Sequence, residues 1–287
     1  MAGSLLLRPE ADETGFANNA GIRIAWRRYG NGPETILFIP TWNFVDSRVV
    51  RHQVDGLRDR FRVLTYDARG SGGSDRPSGG YRFEDHLEDA VAVLDATKTA
   101  AASVVAASAG THAAVLLAHG HPDRVRRLVL IAPPMDVSSD DRRDSPVETE
   151  HGAPPPDWRT DYPAFVTWFI STAFPEPGSE ITIAEIVEIA LGADHAMLLQ
   201  QSKELDWDEA PRHLEEVHCP TLVIHGTADR TLDLDSVRAV ASSIPGADLE
   251  LLHGLGHRPD ISRPAIVNPI LGDFLGPAPS ATLDPGR

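Results

Sequence analysis

Short unbroken apolar runs recur along the chain, separated by longer stretches with helical periodicity. Residues 35–39 (Thr-Ile-Leu-Phe-Ile), 61–66, 104–107, 127–131, 221–224 and 248–252 each hold four to six mostly apolar residues, the length and composition of strands buried on both faces. Residues 22–29 alternate instead and predict a strand with one face toward solvent. Between the runs, 49–57, 84–96, 111–119 and 235–241 read as helices. In 84–96, Leu87, Ala90, Val91 and Leu94 share one face. Strands alternating with helices predict the α/β class, a mostly parallel sheet flanked by helices. Residues 1–13 read as an irregular polar lead, and 276–287, rich in Pro and Ala, as a disordered tail.

The rhythm breaks over 135–215. A charged run at 140–144 and three prolines at 154–156 read as loop. Phe165, Trp168 and Phe169 then recur at helical spacing, as do Ile183, Ile186, Val187 and Ala190. The pattern predicts one discontinuous core, 1–134 with 216–287, carrying a helical cap at 135–215. The length suits a single large core with an insertion better than two equal domains.

The sharpest local signal lies at 104–119. An apolar run ends at Ala107, Ser108 follows, and an Ala/Leu-rich helix begins at once. A strand-to-helix turn that tight needs small residues two before and two after the serine, here Ala106 and Gly110, and it aims a helix N-terminus at whatever the hydroxyl meets. This segment resembles the nucleophile elbow of the α/β-hydrolase superfamily, G-x-S-x-G, with Ala106 in place of the first glycine. The resemblance extends from about residue 21 to 274. It implies the α/β-hydrolase fold and a triad ordered serine, acid, histidine along the chain. Asp229, past the 221–224 run and a glycine, and His257, past the 248–252 run in a glycine loop, stand where that order puts the acid and the base. Asp136, after the 127–131 run, competes for the acid, and His253 for the base. His225 and His112 read as packed histidines.

The same resemblance implies an oxyanion hole. One donor is the Ala109 N–H at the helix N-terminus. The other comes from the loop after 35–39, where this chain has Pro40-Thr41 in place of the His-Gly of many relatives; Trp42 is favoured by position, with Thr41 as the alternative. Thr41, Phe165, Trp168 and Phe169 are the candidate substrate contacts. The loop 67–74, Asp-Ala-Arg-Gly-Ser-Gly-Gly-Ser, resembles a structural loop of the same superfamily. As a phosphate cradle it lacks the lysine and the directly following helix.

Composition narrows the chemistry. A formal net charge of −16, with Lys98 and Lys203 the only lysines, disfavours nucleic acid as a partner. The single cysteine, Cys219, excludes an intrachain disulfide and a multi-cysteine zinc site. The histidines show no H-E-x-x-H or similar spacing, and no G-x-G-x-x-G stands between a strand and a helix, so neither a catalytic metal nor a cofactor is expected. No run reaches membrane-spanning length and no export signal is evident, so the expectation is a cytoplasmic protein. These readings converge on a serine hydrolase acting through an acyl-enzyme on a small, neutral or hydrophobic ester, lactone or thioester. Acyl transfer and C–C bond hydrolysis are open to the same three residues, and a non-catalytic ligand-binding role to the same fold.

Overall fold

The computed structural model describes residues 4–137 and 155–276. Among them eight strands form one sheet: β1 Glu13–Asn19, β2 Ile22–Tyr29, β3 Thr35–Phe38, β4 Arg62–Tyr66, β5 Ala102–Ala107, β6 Val125–Ile131, β7 Thr221–Gly226 and β8 Asp248–Leu252. Their spatial order is β1-β2-β4-β3-β5-β6-β7-β8. The first two pairs, β1 with β2 and β2 with β4, are antiparallel and the other five are parallel. The helices of the core are α1 Arg51–Leu57, α2 Phe83–Ala96 and α3 Gly110–Gly120, and later α7 Leu234–Ser243, α8 Pro259–Ser262 and α9 Pro264–Leu275. Between β6 and β7 run α4 Tyr162–Ala173, α5 Glu180–Leu191 and α6 His195–Glu204.

The central strands are apolar throughout because both of their faces are covered. In β5, Val104 and Ala106 join a cluster with α2, α3 and α7, while Val105 and Ala107 face the opposite way toward α1 and α9. Successive side chains of a strand point to opposite faces, so a continuous apolar run serves two cores at once. This is the mostly parallel, helix-flanked sheet that the alternating pattern predicts.

Two local expectations are corrected. Strand β1 is absent from the periodicity because it is a polar edge strand with only Ala17 buried; it pairs β2 through a turn in which Ala20 and Gly21 both take positive φ, the geometry of a tight hairpin. Nor is the lead segment merely polar. Leu5 is fully buried, and Arg8 pairs with Asp46 and Asp67. The Pro/Ala-rich tail from 277 and the 140–144 charge run lie outside the described residues.

The three helices between β6 and β7 pack through a separate apolar cluster. Val166 and Ile170 of α4, Ile186 and Ile189 of α5, and Met197 and Leu198 of α6 meet Phe44, Val45, Val49 and Ile261. The asparagine-sized carboxylates Asp161 and Asp194 cap α4 and α6 by accepting from backbone N–H groups of the first turn. No helix among the described residues is long and apolar enough to cross a membrane.

Candidate active site

Ser108 occupies the turn between β5 and α3. Its φ of +50° lies in the left-handed region, a conformation that costs roughly 1–3 kcal/mol for a residue with a side chain. The surroundings hold it there. Its N–H donates to the Ile131 carbonyl at 2.8 Å, and its own carbonyl accepts from the Thr111 N–H and hydroxyl at 2.9 and 2.6 Å. A side chain at Gly110 would collide with the Pro40 carbonyl, so the smallest residue lets α3 press against the 40–43 loop.

Asp229 and His257 arrive from two loops that are tied together. Thr227 N–H donates to Leu252 O and Ala228 N–H to Leu255 O, and a Cβ on Gly226 would strike the Leu255 and Gly256 carbonyls. His257 Nδ1 lies 2.8 Å from Asp229 Oδ2, and its Nε2 lies 2.9 Å from Ser108 Oγ. Asp229 is fully buried. Its other oxygen accepts from the Thr231 N–H and hydroxyl, both at 2.7 Å, and from Leu232 N–H at 3.2 Å. Burial pushes this carboxyl up, but the His257 hydrogen bond and charge, with the Thr231 donors, outweigh it and hold Asp229 below the ordinary carboxylate range. The three groups thus form one hydrogen-bonded chain, ending at a half-buried hydroxyl.

A narrow, mostly apolar cavity opens on Ser108 and His257. Thr41, Trp42, Phe44, Phe169, Ile170 and Ile186 are among its lining residues. Trp42 lines the same cavity as Ser108, and Ala109 follows the serine at the N-terminus of α3. Of the three α4 aromatics, Phe169 alone is among the cavity's lining residues. Phe169 reaches the cavity wall, Phe165 stacks on it at 5.6 Å one helical turn earlier, and Trp168 leans on both from the side. Helical spacing put the three aromatics on one broad face but does not say which one meets the cavity.

The competing residues are placed apart. Asp136 is exposed along a groove with Thr231 and Asp233, and His253 is exposed at the end of β8. His225 is buried with Nδ1 3.8 Å from Asp229 Oδ2, and burial lowers its pKa despite the carboxylate. His112 is buried too, stacked on Phe83 at 4.5 Å, and burial pushes it down to about 4.

Glu176 was missed as a site residue. It follows α4 and is buried. Its Oε1 accepts from Gly256 N–H at 2.7 Å and from the Ser262 hydroxyl at 2.8 Å, while the neighbouring His257 N–H donates to Ala173 O at 2.9 Å. The end of α4 therefore grips the loop that carries His257. A carboxylate between two prolines, Pro175 and Pro177, was the available signal, since prolines leave few backbone donors nearby to satisfy it.

With this geometry in place, comparison with known proteins adds the family. A family model described as alpha/beta hydrolase fold matches residues 34–179. The chain belongs to the α/β-hydrolase family. A putative non-heme chloroperoxidase from Synechocystis is 28% identical over 274 residues, covering 91% of this chain and 98% of that protein. Among solved structures, the bromoperoxidase of Bacillus anthracis superposes with a TM-score of 0.80 at 25% identity, covering 92% of this chain and 99% of that one. The enol-lactonase of Burkholderia xenovorans does so with a TM-score of 0.75 at 25% identity, covering 91% and 99%. The family's members include proteins named as hydrolases, esterases and lactonases, and this chain is an enzyme of that family.

Proposed function

We propose that this enzyme is a serine hydrolase that cleaves a small, neutral or hydrophobic ester, lactone or thioester through an acyl-enzyme. The observation that carries the reading is the hydrogen-bonded chain from Asp229 through His257 to Ser108. A serine hydroxyl is a weak nucleophile until a base takes its proton. In this scheme His257 Nε2 accepts that proton as Ser108 Oγ attacks the carbonyl carbon. Asp229 stays ionised, fixes the imidazole tautomer and stabilises the imidazolium. The N–H groups of Ala109 and Trp42 receive the negative charge that develops on the carbonyl oxygen. His257 then protonates the leaving oxygen or sulfur, and water, activated in turn by His257, releases the acid.

The apolar lining of the cavity beside Ser108 supports a small uncharged acyl group. In this reading residues 135–215 are the cap. Phe169 touches the acyl group, with Thr41 beside it, and Phe165 and Trp168 act through Phe169. The enzyme works in the cytoplasm. Labelling with a serine-reactive fluorophosphonate tests the nucleophile, and a panel of short esters, thioesters and lactones tests the substrate. One equivalent of label on the native chain and none on Ser108→Ala is the expected result.

A second reading rests on the names of two relatives, a chloroperoxidase and a bromoperoxidase. Hydrogen peroxide in place of water would attack the same acyl-enzyme and release a peroxy acid, which oxidises halide in solution. Halide oxidation that requires both a carboxylic acid and Ser108 would support it.

A further inference from the structure

Far from Ser108, at the other end of α3, two histidines and a carboxylate converge. His119 lies in the last turn of α3. His213 and Glu216 lie in the 3-10 helix Ala210–Glu216 that leads the chain into β7. In a 3-10 helix residues three apart stand over one another, so this pair projects from one face. His119 Nδ1 is 2.8 Å from Glu216 Oε2, and His213 Nδ1 is 3.7 Å from the same oxygen. The two imidazoles stack at 4.0 Å between centroids, and the ligand atoms of the three residues lie within 4.8 Å of one another.

The hydrogen bonds around His213 decide what belongs between these atoms. Its Nε2 lies 3.2 Å from Glu209 Oε1. A carboxylate only accepts, so Nε2 carries the hydrogen and a neutral ring presents a bare lone pair at Nδ1. That Nδ1 is buried, has no hydrogen-bond partner and faces an anionic oxygen. A lone pair against a carboxylate is unfavourable unless a cation sits between them. The other Glu209 oxygen is held by Arg212 Nη1 at 2.7 Å. A carboxylate fixing the far nitrogen of an imidazole is how proteins orient histidine toward a metal.

We propose that His119, His213 and Glu216 bind one divalent transition-metal ion, Zn²⁺ by preference, with water completing the coordination. Neighbouring ligand atoms on a tetrahedral zinc ion lie about 3.4 Å apart, given bonds of about 2.0–2.2 Å. The two separations from Glu216 Oε2 bracket that value, and turning the stacked imidazole planes out of parallel would bring both Nδ1 lone pairs onto one ion. Two imidazoles suit zinc, copper and nickel over calcium and magnesium, which prefer all-oxygen sites. The ligands are half-exposed, which leaves an entry path. The ion takes no part in catalysis. It ties the end of the helix that carries the serine turn to the segment returning from the α4–α6 excursion. The sequence lacks a zinc spacing because the ligands come from two distant elements.

The test uses the full chain without a histidine tag, stripped of metal, at about pH 7.5. Zn²⁺ is titrated against a chromophoric chelator and by calorimetry. One equivalent is expected, with a higher melting temperature that EDTA reverses, and Co²⁺ should give the visible bands of a four-coordinate site. Glu209→Gln should weaken binding by about 10–100-fold, and His119→Ala or His213→Ala by more. Circular dichroism confirms that each variant is folded. No stoichiometric uptake at sub-millimolar Zn²⁺ would overturn the proposal. Undiminished uptake by the His119→Ala/His213→Ala double variant would overturn it equally.

Discussion

At the scale of single residues, the site depends on one side chain held in an unfavourable backbone conformation and two others delivered to it. Ser108→Ala keeps the small residue that the turn requires, so the fold should persist while kcat falls by roughly 10⁴–10⁶-fold. Turnover of the purified variant, freed of wild-type carry-over, checks this; a near-normal rate would remove Ser108 from the mechanism. Asp229→Asn should also cost several orders of magnitude, whereas Asp136→Asn should leave kcat within about two-fold, because Asp136 faces a solvent groove. Parallel kinetics on the two variants separate the candidates. Ser108, Asp229 and His257 were legible because each follows an apolar run and a small residue, in the order the resemblance requires. Thr231, which supplies two hydrogen bonds to Asp229, was not legible. Nothing about a threonine two residues after an acid distinguishes it from any loop threonine.

Among the elements, the core strands could be read from the sequence because burial on both faces erases polar positions. Strand β1 could not, because an edge strand with one buried side chain carries almost no period. The α4–α6 helices were legible as helices, but the period does not tell which side of an apolar stripe meets a cavity and which meets a neighbouring helix. Phe169→Ala should therefore shift preference among acyl chain lengths, and Trp168→Ala, which acts only through Phe169, should shift it less. A substrate panel on both variants checks the contrast. The α4 end is also a support for His257. Glu176→Ala removes the acceptor for Gly256 N–H and the Ser262 hydroxyl and should lower kcat by roughly ten-fold or more, since about 1.4 kcal/mol of misplacement is a factor of ten. Glu176→Gln, which keeps an acceptor oxygen, should recover most of the loss and Glu176→Met, of similar size without one, should not, whereas a purely packing role would let both recover.

For the molecule as a whole, buried histidines make folding sensitive to acid. Burial pushes His86 and His112 down to about 4. A folded pKa below the unfolded value means the unfolded chain binds more protons in the interval between them. Stability is therefore complete above about pH 6.5 and declines as pH falls toward about 4, by up to a few kcal/mol per histidine. The depressed carboxylates Asp67 and Asp229 add their own loss only below the ordinary carboxylate pKa. Urea midpoints measured from pH 7 to pH 4 should fall steadily across this interval, and replacing His112 with Gln should flatten the slope. A midpoint independent of pH above 4 would contradict the burial argument.

The excursion that holds α4, α5 and α6 departs from β6 and returns to β7, and these two strands are direct neighbours in the sheet, with Ile131 beside Ile224. Its two ends are thus a fixed strand spacing apart, whatever lies between them. Loop-closure entropy grows only slowly with length, so segments can be gained, lost or exchanged here with little effect on the sheet. Ser108, Asp229 and His257 lie outside the excursion, so exchanges that keep the end of α4, with its Ala173 and Glu176 contacts to the His257 loop, leave them in place. What the site admits can therefore be changed by remodelling α5 and α6 without moving the reacting groups, provided the end of α4 stays.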